Sequence, residues 1–288
     1  MVFDAVAIER VGIATSEASM RACVGRGQLI SLLAGVLALG LGLGAGRVNA
    51  TSASTDQSDL WWNSAESGWG IQLVQQHDTI FATMYVYAAS GQPEFYVAVL
   101  ERSAGLTWSG KTYRATGPYW GGAFVPAAVV ETEVGTMAFT ASTVSSGQLD
   151  YTIGGTSVSK VVERMSFAND HLAPSFTGTV REAMLSGPCT PLSAAAVTAQ
   201  FTHAGGSPVA VSLVFPSRTC TIATGNYSQR GQFGRVAGAY TCTDGESGTS
   251  SLTELRLTVE TLTFRYGLNG NGPSGACQID GDFAGLRW

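Results

Sequence analysis

Residues 79–87 read TIFATMYVY, and this stretch decides the fold. Ile80, Ala82, Met84 and Val86 fall on one side of a two-residue period, and Phe81, Thr83, Tyr85 and Tyr87 fall on the other. Neither side is strongly polar, so both are expected to be covered, as in a small closed barrel or a two-layer sandwich. His77-Asp78 on one flank and Ala89–Gln92 on the other are turn-like breaks. They make Trp69–Gln76 and Glu94–Arg102 hairpin partners of the central run. Working outward, Leu106–Arg114, Gly135–Ala141, Gln148–Ile153 and Ser157–Phe167 repeat the pattern, which predicts an antiparallel meander over residues 59–168.

Asn169–Pro174 (NDHLAP) interrupts the rhythm and predicts a boundary. Beyond it, strand-like runs resume near Ser175–Glu182, Ala195–His203, Val209–Phe215, Thr219–Tyr227, Gly234–Thr243, Leu252–Val259, Leu262–Gly267 and Gly275–Leu286. Ser193–Ala199 is the one stretch that also suits a short helix. The expected fold class is therefore all-β: an N-terminal antiparallel meander forming a small barrel or sandwich, then a disulfide-stapled antiparallel β-domain over 175–288. Composition agrees. Charged residues are 13% of the chain and glycines number 36, which suits short strands and tight turns.

The N-terminal 50 residues read differently. Arg21 and Arg26 precede an uncharged run from Leu29 to Ala45, and Val48-Asn49-Ala50 supplies a cleavage-like end. That three-part layout is a secretory signal peptide, and it predicts Thr51 as the first mature residue. The competing reading is an uncleaved anchor, since the run approaches membrane-spanning length. Asp4, Glu9 and Glu17 are foreign to such a leader, so Met20 is the candidate start and residues 1–19 an extension. Residues 51–58 (TSASTDQS) form a polar linker. The expected location is the periplasm, the cell surface or the exterior.

An exported chain admits disulfides. Cys189, Cys220, Cys242 and Cys277 remain after cleavage, which allows three pairings. Cys220 and Cys242 are equidistant from Gly231, in a turn-like Gln229–Gln232 segment, so a hairpin there would set them opposite each other. Cys189 would then pair with Cys277. No C-x-x-C spacing supports zinc or thiol redox chemistry.

Residues 1–50 hold four of the 16 basic residues and three of the 21 acidic ones, which leaves the remainder at −6. No basic run follows Arg47, which argues against nucleic acid and against anionic membranes, so membrane contact is expected only through an uncleaved leader. Gly154-Gly155 lacks the Lys-Ser/Thr of a phosphate loop, and no G-x-S-x-G string marks a nucleophilic serine. His77, His171 and His203 are scattered. Neither a cofactor nor a metal is expected.

The most distinctive string is Asp59–Gly70, DLWWNSAESGWG. It resembles a WW-N-x-x-E-S-G-W-G module of exported proteobacterial proteins that have no assigned activity. Gln75–Thr83, Tyr87–Gly91, Trp108-Ser109-Gly110, Gly117-Pro118 and Val134-Gly135 extend the resemblance over about residues 58–168. Ser64 stands where the module usually has proline, and Phe95 at an expected aromatic. The C-x4-G-x-Y-x-Q-x-G-x2-G pattern from Cys220 to Gly234, followed by Tyr240-Thr241-Cys242, resembles a domain that accompanies it. The resemblance implies export and a β-fold, and it implies no activity.

Two kinds of residue could carry chemistry. Glu66 stands among Trp61, Trp62 and Trp69, where an apolar setting would raise its pKa and suit a general acid. A glycosidase would then need a second carboxylate, Asp78 or Glu94. The plainer expectation is that Glu66 accepts hydrogen bonds within its turn. Aromatic rings are dense in the first region. Trp61, Trp62, Trp69 and Trp120, near loops, are the candidate platform for a glycan or small apolar ligand, with Glu66 beside them. The Asp59–Gly70 segment is expected to close the first domain at the start of its sheet, and the phase of Trp69 with Ile71 and Leu73 predicts that its ring points into the core. The leading expectation is a non-enzymatic binding module. A saccharide hydrolase using Glu66 and a structural or surface-adhesion accessory protein are the alternatives.

Overall fold

The computed structural model describes residues 56–172, 175–188, 191, 195–203 and 208–287. The leader and the start of the linker lie outside these residues, as does Cys189.

The described chain is two closed antiparallel barrels of eight strands each. The first runs β1 (Asp59–Trp62), β2 (Gly70–Gln76), β3 (Thr79–Tyr87), β4 (Pro93–Ala104), β5 (Thr107–Thr116), β6 (Val130–Ala141), β7 (Ser146–Ile153) and β8 (Thr156–Arg164). The all-β meander is as expected, and it closes as a barrel. The element that closes it is the one the alternation did not reveal. β1 pairs with β2 (Trp61 opposite Ile71) and with β8 (Trp61 opposite Arg164). Four residues reading Asp-Leu-Trp-Trp show too little period to announce a strand.

Closure also corrects the expectation that both faces of the central run are covered. A barrel has one enclosed face. Ile80, Ala82 and Met84 fill it with no exposure, together with Ile71, Leu73, Trp108 and Phe139. The other face looks outward, leaving Tyr85 39% and Tyr87 61% exposed. The outward positions of β5–β8 include Ser109, Lys111, Gln148, Asp150 and Ser159.

The second barrel comprises β9 (Ser175–Ser186), β10 (Ala195–Thr202), β11 (Val209–Val214), β12 (Thr219–Arg230), β13 (Phe233–Cys242), β14 (Ser247–Leu257), β15 (Thr261–Gly272) and β16 (Gly275–Arg287). β9 closes it by pairing with both β10 and β16. Residues 195–199, part of the stretch suited to a helix, are strand in β10. Alternating Val197, Ala199 and Phe201 are buried there, and that inward phase decides for strand.

Cys220 and Cys242 are directly opposite and disulfide-bonded, with Cα atoms 4.0 Å apart. The turn is not centred as the sequence suggests. Arg230 pairs with Phe233, and a strict ladder from that turn would set Cys220 opposite Thr243. A one-residue register shift between Thr221 and Asn226 restores the cysteine pair. Cys277 is also disulfide-bonded.

The barrels belong to one compact unit, and the end of β8 joins them. The Arg164 side chain has no exposure and is 3.1 Å from the Asp59 carboxylate. Its guanidinium donates to the carbonyls of Val144, Ser58 and Asp56 and to Gln57 Oε1. It also lies over Trp61 of the first barrel at 4.6 Å and Phe233 of the second at 4.7 Å. Asp59 Oδ2 further accepts the Gln232 N–H at 3.0 Å.

Candidate functional site

The meander sends four connections to one end of the first barrel: residues 63–69, 88–92, 117–129 and 154–155. Around this mouth stand most of the residues the sequence singles out.

Asn63 shapes the first connection. Its side chain accepts the Ala65 N–H at 2.9 Å and its carbonyl accepts the Glu66 N–H at 3.0 Å. Ser64 occupies the second position of this turn, where proline is also suited. Gly68 has φ +120°, and a Cβ there would lie 3.8 Å from the Tyr87 ring. A Cβ on Gly70 would meet the Tyr85 hydroxyl at 2.4 Å, so glycine lets that ring lie flat on the strand.

This turn delivers Glu66 between two donors. Lys160 Nζ donates to Oε1 at 2.7 Å, and the Trp69 indole N–H donates to Oε2 at 3.1 Å. The side chains of Lys160 and Glu66 are 30% and 40% exposed. Lys160 comes from β8, opposite Leu149. Its hydrogen bond holds the Glu66 carboxyl below the ordinary glutamate range, against a smaller desolvation effect. This is the reverse of the raised pKa that a general acid needs. Tyr151, near both groups, has its hydroxyl pushed up by burial.

A second ion pair stands on β4 and β5, toward the same end. Arg114 Nη2 is 3.1 Å from Glu94, and the Tyr96 hydroxyl donates to Glu94 at 2.6 Å. That hydrogen bond pushes the Tyr96 hydroxyl up. The connection between β5 and β6 has no charged residue from Gly117 to Val129. It leaves Tyr119 71%, Trp120 88% and Phe124 64% exposed, with the Tyr119 and Trp120 rings 5.5 Å apart.

Of the sequence-predicted residues, Glu66 and Trp69 meet directly, and Trp120 reaches the same end on its loop. Trp62 is half-buried on the outer wall, since it alternates with inward Trp61. Trp61 is not a ligand surface. It has no exposure, with Phe139 at 4.9 Å, Arg164 over its ring and its N–H donating to the Gln57 carbonyl. Trp69 packs partly against the core from the mouth, not within it. Asp78 lies in the β2–β3 turn at the opposite end, 3.3 Å from Arg102. The seven residues of β2 separate it from the mouth by roughly 20 Å, so it is no partner for Glu66.

Sequence reasoning missed Lys160, although a signal exists. It falls in phase with Val158 and Val162, the inward set of β8. A lysine on an apolar face either snorkels at a rim or has a partner. Among the histidines, His203 has both ring nitrogens buried without hydrogen-bond partners among the described residues, 4.8 Å from the Tyr227 ring. The Tyr227 hydroxyl donates to Asp170 at 3.2 Å. Among the described residues, Cys242, Asp244 and Glu246 cluster at metal-like distances. Cys242 is in its disulfide and both carboxylates are engaged by Arg218, at 3.2 and 2.6 Å.

The Glu66–Lys160 pair has a measurable consequence. Because the folded carboxyl titrates lower than in the unfolded chain, the pair persists above the ordinary glutamate range and is lost as pH falls through the lowered midpoint. Carbon-detected NMR should place the Glu66 midpoint below that of an exposed glutamate. Lys160→Met should move it up. An unshifted midpoint in the wild type would mean the pair does not form in solution.

No protein-family model matches the chain, and no curated protein matches it. Among solved structures, it is similar to a crystal structure of a candidate outer membrane protein from Bacteroides fragilis. The two are 12% identical, with a TM-score of 0.32, and the match covers 81% of this chain and 96% of the other. A likeness at that TM-score carries no weight for fold or function.

Proposed function

We propose that this chain is an exported, non-enzymatic binding module whose first barrel takes a neutral glycan, or a small molecule with an apolar face, at its mouth. The observation that carries the reading is a rim whose two cations are each paired with a carboxylate beside exposed aromatic rings. Lys160 is matched by Glu66 and Arg114 by Glu94, so these four groups offer directional donors and acceptors while their charges cancel in pairs. Trp69, Tyr119 and Trp120 supply flat apolar surface beside them. The leader supports export to the periplasm, the cell surface or beyond. The Asp59–Gly70 segment supports membership of the exported proteobacterial group, whose shared turn would then be a mouth-building device.

Nothing at the mouth favours hydrolysis. A retaining or inverting glycosidase pairs one protonated and one ionised carboxyl group, whereas Glu66 is held ionised by Lys160 and Glu94 is engaged by Arg114. Titration calorimetry against neutral oligosaccharides, led by an array screen, tests the proposal. Binding should weaken about tenfold or more in Trp120→Ala and persist in Trp62→Ala. Absence of binding across the neutral set, or a Trp120→Ala protein that binds like the wild type, overturns it. Release of reducing sugar that Glu66→Gln abolishes would establish the hydrolase instead.

A further inference from the structure

The outer wall of the first barrel holds a trough that the mouth does not use. It has a volume of about 560 Å³ and lies across β5–β8, lined by Ser109, Thr136, Asp150, Thr152, Ser157 and Ser159 among others. The ladder explains its shape. Ser109 is opposite Ala138, Ala138 opposite Asp150, and Asp150 opposite Ser159, so small side chains cross four strands in one row. Thr136, Thr152 and Ser157 form the adjacent row. All of these are outward positions.

One charge sits in this field of hydroxyls. Asp150 Oδ1 accepts hydrogen bonds from the Ser159 hydroxyl and, at 3.5 Å, from the Gln148 amide, which are both neutral donors. No lysine, arginine or histidine among the described residues forms an ion pair with it. Lys111, at the head of the adjacent row opposite Thr136, is 2.7 Å from Glu133. The trough therefore presents a carboxylate without a counter-ion, ringed by groups that both donate and accept.

We propose that this trough binds an amino sugar in its protonated form, with the ammonium on Asp150 and ring hydroxyls on Ser109, Thr136, Thr152 and Ser157. Charge complementarity selects the ammonium. The hydroxyl array selects a polyol over a basic peptide, because a peptide that binds a sheet by its backbone needs a free strand edge and a closed barrel has none. The size suits a short oligosaccharide, within the roughly 300–1,000 Å³ of small-molecule sites. The ion pair is exposed, so its contribution is salt-dependent.

Calorimetry on the full chain, at a pH where the amines are protonated, would compare a glucosamine tetramer, an N-acetylglucosamine tetramer and pentalysine. The glucosamine tetramer should bind, weaken with added salt, and lose about tenfold or more in affinity in Asp150→Asn. Ser157→Val should also weaken it, and Trp120→Ala should leave it unchanged, which separates this site from the mouth. Thermal melts would confirm that both trough variants are folded. Equal affinity for the acetylated tetramer in a Trp120→Ala background, where the mouth is disabled, removes the role of the amine, and equal affinity for pentalysine removes that of the sugar. No binding, full binding by Asp150→Asn, or loss in Trp120→Ala each overturns the proposal.

Discussion

Arg164→Met should be among the most damaging single changes in this protein, lowering stability by about 3–5 kcal/mol. The residue is a cation without exposure, and its removal strands what it satisfies. The Asp59 side chain is 7% exposed and would be left as a buried carboxylate with only the Gln232 N–H and its own turn for company. The Val144 and Asp56 carbonyls and the Gln57 amide oxygen would lose this donor as well, while the Ser58 carbonyl would keep the Gln232 amide. Methionine replaces some of the stem packing between the rings of Trp61 and Phe233, so the loss tracks the polar groups and not a void. Adding Asp59→Asn should recover part of it, because an amide is far less costly to bury than an unmatched carboxylate. Denaturant melts followed by tryptophan fluorescence would measure both variants. An Arg164→Met protein within 1 kcal/mol of the wild type would show that water enters the junction and screens the pair.

Arg164 also shows how far the sequence could be read. The strands were legible wherever a two-residue period ran long enough, as in Thr79–Tyr87, where inward and outward sets separate cleanly. The same period holds in β8, and it places Lys160 and Arg164 inward with Val162. Charges on an apolar face are the sequence trace of both the mouth and the junction, but the pattern does not name their partners. Lys160 finds Glu66 and Arg164 finds Asp59 only because β8 closes against β1, roughly a hundred residues away in sequence. That the Asp59–Gly70 segment closes the first barrel at the start of its sheet was legible; which residues pair to do it was not. The pairing depends on a four-residue strand whose hydrogen bonds, not its alternation, define it. The disulfide was legible for a partly mistaken reason: Cys220 and Cys242 do face each other, but through a register shift that no symmetry about Gly231 contains. Trp120 was placed near a loop by its neighbours Gly117, Pro118, Gly121 and Gly122, and the structure exposes it on that loop. Asp150 carried no signal at all, since a carboxylate on the outward set of a strand is what solvent ordinarily demands.

Two of the three tryptophans of the Asp59–Gly70 segment, Trp61 and Trp69, exchange the roles expected of them, and that exchange fixes the second large effect. Trp69 is in step with Ile71 and Leu73, yet it precedes the first residue of β2 and sits at the mouth, where the barrel no longer encloses it. Trp61 instead points inward from β1, with no exposure and both a ring and a guanidinium against it. Trp61→Ala should therefore cost about 3–5 kcal/mol, the range for deleting a fully buried aromatic side chain and leaving part of its space empty. The Arg164 guanidinium would also lose the π-face it lies on, so the two sites should couple instead of adding. Trp69→Ala deletes a half-buried ring and one hydrogen bond to an exposed carboxylate, and should cost less, about 1–2 kcal/mol. Its larger effect should fall on binding at the mouth. Thermal and denaturant melts of the two variants side by side decide the matter. If Trp69→Ala proves the more destabilising, the ring is enclosed in solution, and the mouth is narrower than the site proposed for it requires.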